Sequence, residues 1–478
     1  MKPPARVRSL WQPVRLAMIC RHLGQISLML AFLLVVPTLF AAASGDWNLA
    51  SWLFAASLIP ALALGIGARV PPMHSPLQAN EALVVVALAF ILAAALMSPA
   101  LAASGLPLCD AWFEAVSGVT TTGLTMVTEP ENASPAFLFA RSWMQWFGGL
   151  GIIVLSLALA HGRAADMRRM ADTVSEEEDL GESVRAHARH VVVIYPLLTL
   201  AAIAGVWAAG LPLFQAVIHS LSAVSTGGFS GFSDSLAGVS STVRFALLAA
   251  AFLGALPLLL LYRGYAGGWP ELLHDPELRA LVGAVLITAL GLWLLGDVGT
   301  SDVLAQALSA QTGTGFTTLD VSALDPQAKW VLILSMVTGA GVGSTAGGIK
   351  LLRILILIRV IQIALLRVQM PRHAVLEPEL GGRKLKPEQV QHALVVALLF
   401  LLVIICSWLP FIAAGYPPLD ALFEVVSATA TVGLSTGIAV PELDPWLKGL
   451  LTLDMLAGRV EIVALLVLLY PATWHRPR

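Results

Sequence analysis

Four segments of this chain obey one rule: a serine, five residues, a glycine, an apolar residue, then serine or threonine. They are Ser117-Gly-Val-Thr-Thr-Thr-Gly123-Leu-Thr125, Ser222-Ala-Val-Ser-Thr-Gly-Gly228-Phe-Ser230, Ser309-Ala-Gln-Thr-Gly-Thr-Gly315-Phe-Thr317 and Ser427-Ala-Thr-Ala-Thr-Val-Gly433-Leu-Ser435. The glycines stand 105, 87 and 118 residues apart, which leaves room for two helices and a loop in each unit. Before each motif lies a run too brief to span a membrane: Asp110 to Glu114, Leu213 to Val217, Asp302 to Gln306 and Asp420 to Glu424. Three of these open with aspartate, a good helix N-cap. After each motif come a polar return, a Lys or Arg, and an apolar stretch. The predicted unit is helix, short re-entrant helix, extended loop, helix.

Composition places these units in lipid. Hydrophobic residues make up 57% of the chain and charged residues 12%, about half the charge of an ordinary soluble domain, and the mean hydropathy is +0.82. Several apolar runs reach the roughly 20 residues of a spanning helix once their flanks are included. The first follows Lys2, Arg6, Arg8, Arg15 and Arg21 and leads past Pro37 into a second helix, Trp52 to Gly67, without a small-residue cleavage site. These two are expected to stay as a transmembrane hairpin. The predicted organisation is this hairpin over 1–77, then pore repeats over 78–162, 163–264, 265–371 and 372–478. Of the 28 Lys and Arg, 23 fall in segments assignable to one side, so both termini are expected in the cytoplasm. Lys350 and Arg353 count among those 23, whereas Arg141, Arg244, Lys329 and Lys448 stand on the opposite side, ahead of apolar helices. Cys20, Cys109 and Cys406 have no metal-ligand spacing. A net charge of −2 supplies no basic stripe for nucleic acid.

Non-helical backbone at membrane depth is tolerated only where protein buries it or where it lines a watery cavity. Four such loops suit a ring around an axis. Backbone carbonyls can replace a cation's hydration shell without fixed charge, glycine admits the required backbone conformations, and the C-termini of the short helices favour a cation at the axis. The loops Thr120, Thr121, Thr122, Gly123; Ser225, Thr226, Gly227, Gly228; Thr312, Gly313, Thr314, Gly315; and Ala430, Thr431, Val432, Gly433 contain no charged residue. That neutrality argues against a carboxylate ring for divalent ions and for a weakly hydrated monovalent cation, most simply potassium. Thr431-Val432-Gly433 repeats the opening of potassium channel filters.

From Lys329 to Met370 the chain is nearly continuous apolar sequence, about 60 Å if helical, twice the ~30 Å hydrocarbon thickness. The interruption is Gly339-Ala-Gly341-Val-Gly343-Ser344-Thr345-Ala-Gly347-Gly348-Ile-Lys350. Its five glycines break the helix, and it lacks the spacing of a nucleotide-binding loop. A segment of this kind below the loops is expected to gate them, and among the four repeats only the third is expected to carry a broken helix. Arg459 lies within the last apolar segment, where a charge usually marks function. Its expected partners are carbonyls of the glycine segment or the field of the permeating ion, to which it would be a barrier, with a helix–helix salt bridge as the structural alternative. His219 is expected to be a satisfied packing residue, and Glu176 to Asp179 a solvated acidic face. His161, His190, His219 and His392 form no nucleophile–base set, so an enzyme is not expected. No intramembrane carboxylate stands out as dedicated to coupling, although a Na⁺- or H⁺-coupled potassium symporter would use the same loops.

The four loops, together with Trp146-Phe-Gly-Gly-Leu-Gly-Ile152, Ala346-Gly-Gly-Ile-Lys350 and Met455-Leu-Ala-Gly-Arg459, resemble the Trk/Ktr/HKT superfamily of potassium transporters across almost the whole chain. The N-terminal hairpin is similar to the TrkH branch rather than the shorter KtrB branch. The resemblance implies an all-α polytopic membrane protein with four helix–pore loop–helix repeats around a central pore. It implies a homodimer in a bacterial inner membrane, gated by a cytosolic TrkA-like ring that binds nucleotide. No cofactor is implied in this chain, and potassium is the substrate. The filter role carries onto the sixteen loop residues named above, and the gating role onto Gly339, Gly341, Gly343, Ser344, Thr345, Gly347, Gly348, Lys350 and Arg459. Gly123, rather than serine, favours potassium over sodium. Gly313 departs from the hydroxyl residue expected there and puts coordination at that subsite in question.

Overall fold

The computed structural model describes residues 13–69, 77–158, 180–267, 269–371, 379–381 and 383–475. Lys2, Arg6, Arg8, His161, the acidic run Glu176 to Asp179, and Arg476 with Arg478 lie outside the described residues. Helices α1 (Leu16–Ala43) and α2 (Trp47–Arg69) form the N-terminal hairpin. Repeat 1 is α3 (Ala79–Ala103), the short α4 (Leu108–Val119) and α5 (Pro135–Ala158). Repeat 2 is α6 (Leu180–Ala208), the short α7 (Leu213–Val224), then α8 (Ser241–Gly254) and α9 (Leu258–Gly267). A brief α10 (Trp269–His274) leads to repeat 3: α11 (Pro276–Leu295), the short α12 (Thr300–Thr312), α13 (Pro326–Thr338) and α14 (Leu351–Gln369). A two-residue hairpin, β1 (Glu379–Leu380) and β2 (Arg383–Lys384), precedes repeat 4. That repeat is α15 (Pro387–Ala413), the short α16 (Pro418–Thr429), α17 (Pro445–Arg459) and α18 (Val463–Leu469), followed by α19 (Pro471–Trp474).

Six described helices are long and apolar enough to cross a membrane: α1, the stretch Trp47–Gly65 of α2, α3, His190–Ala208 of α6, α11 and α15. The last three leave large apolar side chains exposed, among them Leu197, Leu200, Trp207, Ile287, Trp293, Leu398 and Leu402. In a membrane these face acyl chains. Helix α3 differs, with 67% of its apolar window buried, because the hairpin, α4 and α18 all pack on it in place of lipid. The hairpin itself closes on a glycine contact. A Cβ on Gly24 would stand 2.7 Å from the Cα of Gly67, so the two backbones meet where any side chain would hold them apart.

Glycine and proline set the entry to the short helices. Gly105, Gly210 and Gly415 adopt φ of 110°, 107° and 91°, and each is followed two residues later by Pro107, Pro212 or Pro417 at the N-cap. Glycine supplies the left-handed turn and proline cannot extend a helix backwards. This corrects the expectation for the aspartates. Asp110, Asp302 and Asp420 lie inside the first turn rather than at the N-cap, and they make no capping bond.

The long inner helices also differ from expectation. The break in repeat 3 falls between α13 and α14 as the glycine run predicts, but repeats 2 and 4 are broken as well. Pro257 follows the end of α8, and its missing N–H stops the helix. In repeat 4 the chain turns at Glu461 and Ile462, which take φ of 62° and 54°. Only α5 runs on without interruption.

Gly24→Leu is expected to wedge the hairpin open and destabilise the protein by about 1–3 kcal/mol. Thermal unfolding in detergent checks this, and an unchanged transition would remove the close contact.

Candidate ion-conducting ring and gate

The four loops close into one ring. A Cβ on Gly123 would meet the carbonyl oxygen of Gly227, one on Gly228 that of Thr314, one on Gly315 that of Val432, and one on Gly433 that of Thr122. Each repeat therefore abuts the next, and the fourth returns to the first. The four glycines have φ between 78° and 93°, so both conformation and space exclude a side chain there. Each short helix aims its C-terminus at the ring, ending at Val119, Val224, Thr312 or Thr429.

One turn residue precedes the ring in each loop. Thr121, Thr226 and Thr431 take φ of 56°, 51° and 50°, a region costly for a β-branched residue. The equivalent residue in repeat 3 is Gly313, with φ of 70°. Its departure from the hydroxyl pattern thus leaves the backbone path unchanged and relieves the strain. Thr121 and Thr431 leave their buried Oγ1 atoms without a hydrogen bond. The Thr226 hydroxyl lies 3.1 Å from that of Thr345.

A second layer anchors the loops from behind. The hydroxyl two residues beyond each ring glycine meets a polar side chain on its own short helix: Thr125 and Glu114 at 3.0 Å, Ser230 and His219 at 3.0 Å, Thr317 and Gln306 at 2.8 Å, Ser435 and Glu424 at 2.8 Å. His219 is the satisfied packing residue expected, fully buried and stacked on Phe232, and its hydrogen bond to Ser230 also anchors the loop. Gly123 and Gly433 also donate their N–H groups to Ser117 and Ser427. Gln145 of α5 in repeat 1 reaches the loop of repeat 2, where its side chain donates to the carbonyl of Gly227 and accepts from Phe229 N–H.

A third layer joins repeats by charge. Arg244 of repeat 2 pairs with Asp302 of repeat 3 at 2.8 Å, Lys329 of repeat 3 with Asp420 of repeat 4 at 2.8 Å, and Lys448 of repeat 4 with Asp110 of repeat 1. The four basic residues thus sit in the first two turns of the inner helices, bound to short helices, and are not free loop charges. The junction between repeats 1 and 2 breaks the pattern. Gln215 stands where the others have aspartate, and Arg141 turns to Glu114 of its own repeat at 2.6 Å. The Arg141 guanidinium also lies 4.2 Å over the ring of Phe229 in repeat 2.

The glycine segment Gly339–Lys350 packs against loops 2, 3 and 4 where their short helices end. Thr345 donates its hydroxyl to the carbonyls of Gly254 and Val224, at 3.0 and 3.3 Å. Ala346 lies 3.6 Å from the Cβ position of Gly313. A Cβ on Gly347 would meet the carbonyl of Ala430 and the hydroxyl of Thr431. Gly339, Gly343 and Gly348 take φ of 66°, 77° and 77°. Gly341 lies against Pro257, Ser344 donates to the carbonyl of Gly341 at 2.7 Å, and Val342 N–H donates to Glu277 at 2.8 Å. Arg459, 4% exposed, donates to the carbonyls of Thr345 and of Gly148, the latter at 2.9 Å. Lys350 donates to the carbonyl of Ala346, and Arg353 is buried beside it with Glu461 at 2.9 Å. Both cations are thus held by protein groups where α14 begins. The buried Asp454 accepts from Ser407 at 2.6 Å, between α17 and α15.

Several of these residues escaped sequence reasoning. Glu114, Gln306 and Glu424 carry a signal in hindsight, since each stands three residues before the motif serine. Gly148, Gly254 and Gly458 carry one too. Each comes 25 or 26 residues after its ring glycine and admits the carbonyl that ends the short helix: Val119, Val224 or Thr429.

Four re-entrant loops closed into a ring inside an apolar helical bundle define a pore-loop membrane transport protein. The profile of the family described as TrkH, cation transport protein, matches residues 54–267 and 300–475. The Trk system potassium uptake protein TrkH of Salmonella typhimurium is 33% identical over 77% of this chain and 80% of its own length. That of Halomonas elongata is 30% identical over 96% of this chain and all of its own. The crystal structure of the potassium transporter TrkH from Vibrio parahaemolyticus superimposes with a TM-score of 0.83 at 26% identity, covering 97% of this chain and 100% of that one. The chain belongs to the TrkH family of cation transport proteins, a transporter family and not an enzyme family.

Lys448→Met leaves Asp110 buried without its cation and is expected to cost about 3–5 kcal/mol. The double variant Lys448→Met/Asp110→Leu is expected to regain most of that. Melting in detergent reads both, and equal losses in the single and double variants would contradict the pairing.

Proposed function

We propose that this protein carries potassium into the cell across the cytoplasmic membrane, through the ring formed by Thr120–Gly123, Ser225–Gly228, Thr312–Gly315 and Ala430–Gly433. The observation that carries the reading is the cyclic contact of ring glycines with neighbouring carbonyls. It brings four neutral, oxygen-rich loops together with four helix C-termini. Such a site replaces the water of a weakly hydrated cation with carbonyl dipoles, and the helix ends add favourable potential. The unpartnered hydroxyls of Thr121 and Thr431 are further oxygen ligands. Potassium is the substrate named for the relatives.

Gly339–Lys350 with Arg459 is the gate in this reading. The segment lies on the inner side of the ring, its glycines admit more than one backbone path, and Arg459 ties Thr345 to Gly148. A cation beneath the ring meets that guanidinium as an electrostatic barrier. The positive-inside distribution supports cytoplasmic termini. The resemblance to Trk systems supports a homodimer in a bacterial inner membrane, regulated by a cytosolic nucleotide-binding subunit.

In proteoliposomes, rubidium or potassium flux should exceed sodium flux, and Gly123→Ser should reduce that ratio by roughly tenfold, equivalent to ~1.4 kcal/mol. Equal potassium and sodium fluxes in the unaltered protein would sink the assignment. Arg459→Ala, or deletion of Gly343 to Gly347, should raise flux measured without any regulatory subunit. Unchanged flux in both would remove the gate.

A further inference from the structure

The residue that anchors each loop occupies one equivalent position in all four repeats, yet the four side chains differ in charge. In repeat 1, Glu114 accepts from Thr125 and from Met126 N–H, and Arg141 neutralises it at 2.6 Å. In repeat 2, His219 faces the carbonyl of Gln215 with Nδ1 at 2.8 Å and accepts from Gly231 N–H with Nε2 at 3.2 Å. Those partners require the neutral ring with its proton on Nδ1. Repeat 3 has the amide of Gln306.

Repeat 4 has Glu424, fully buried and, among the described residues, without a cation. It accepts from the Ser435 hydroxyl at 2.8 and 3.1 Å, from Thr436 N–H at 3.0 Å and from the Thr436 hydroxyl at 3.2 Å. The Thr436 N–H can only donate and the Ser435 hydroxyl is free to donate, while the Thr436 hydroxyl is shared with the carbonyl of Asp420 at 3.2 Å, a donor set that suits an ionised carboxylate. Two charged pairs on the adjoining elements are already matched. Asp420, one turn earlier on α16, holds Lys329 of α13 at 2.8 Å. Asp110 of α4 holds Lys448 of α17.

We infer that Glu424 is the one uncompensated charge in the anchoring layer and sets the ring's affinity for its cation through the electric field. It is an affinity-setting residue that does not touch the ion. Five residues separate it from Thr429 at the end of α16, about 8 Å along the helix axis. At that range a full negative charge acts through buried protein rather than bulk water, where screening is weak. The same carboxylate in repeat 1 contributes little, because Arg141 cancels it. The ring is thus fourfold in backbone and onefold in charge, and the attraction comes from the side of repeat 4.

The inference rests on the ring being the cation path, and the test separates the two claims. Rubidium uptake into proteoliposomes is measured against rubidium concentration. Saturable uptake in the unaltered protein tests the path itself. Glu424→Gln keeps shape and hydrogen bonding, and should raise the half-saturating concentration by roughly tenfold, the size of effect of one charge about 10 Å away at an effective dielectric near 20. A residue that only braces the loop would instead lower the maximal rate. The decisive arm moves the charge elsewhere. Gln306→Glu should lower the half-saturating concentration in the otherwise unaltered protein, and should restore it in the Glu424→Gln background. Should Glu424→Gln fail to fold, Gln306→Glu alone decides. Saturable uptake with a half-saturating concentration that neither substitution moves would overturn the inference and leave the path standing.

Discussion

The contact on which this structure depends is that of a ring glycine with the carbonyl of the next repeat. It occurs four times and closes on itself, at Gly123, Gly228, Gly315 and Gly433. None of the four positions has room for a methyl group. Everything outside the ring serves to hold these close approaches at membrane depth, where an unpaired backbone group is expensive. The anchors on the short helices fix each loop to its own repeat. The ion pairs Arg244–Asp302, Lys329–Asp420 and Lys448–Asp110 fix each repeat to the next. The strained threonines at positions 121, 226 and 431 show that the surroundings overdetermine the path, since each such conformation costs of order 1–3 kcal/mol.

Symmetry in the backbone is paired with asymmetry in the side chains. Among the described residues, repeat 1 alone keeps an unbroken inner helix, repeat 3 alone contributes the glycine segment, and repeat 4 alone supplies Arg459 and an anchoring carboxylate, Glu424, outside any ion pair. A ring that passes a cation, as proposed, would benefit from this division. Coordination geometry wants equivalent oxygens around an axis, whereas gating and affinity need a few distinct groups on one side. The ion-pair pattern also fails at one junction only, where Gln215 replaces aspartate and Arg141 turns inward to Glu114.

Much of the fold was legible in the sequence because the repeat is written at fixed spacing. Ser117, Ser222, Ser309 and Ser427 with their glycines located all four loops, and the long apolar runs located the outer helices. The glycine run from Gly339 located the break in repeat 3. The breaks at Pro257 and at Glu461 and Ile462 were missed, since one proline or two residues of positive φ leave little trace in an apolar stretch. The aspartates were read as caps because local chemistry allows it. Their true partners lie far away in sequence, with Lys448 separated from Asp110 by 338 residues, and no local pattern reports such a pairing. Arg459 was legible as costly, and its partner Thr345 lies in the segment expected, while its second partner, Gly148 in repeat 1, was not foreseen.

The central claim is that the four carbonyls brought together by the ring glycines are what a passing cation meets. Crystals or grids prepared in rubidium or thallium test it most directly, through anomalous or difference density. The account predicts density on the ring axis at the level of Thr122, Gly227, Thr314 and Val432, lost when Gly315 becomes alanine. Density confined to other parts of the molecule, or density on the axis that survives Gly315→Ala unchanged, would contradict it.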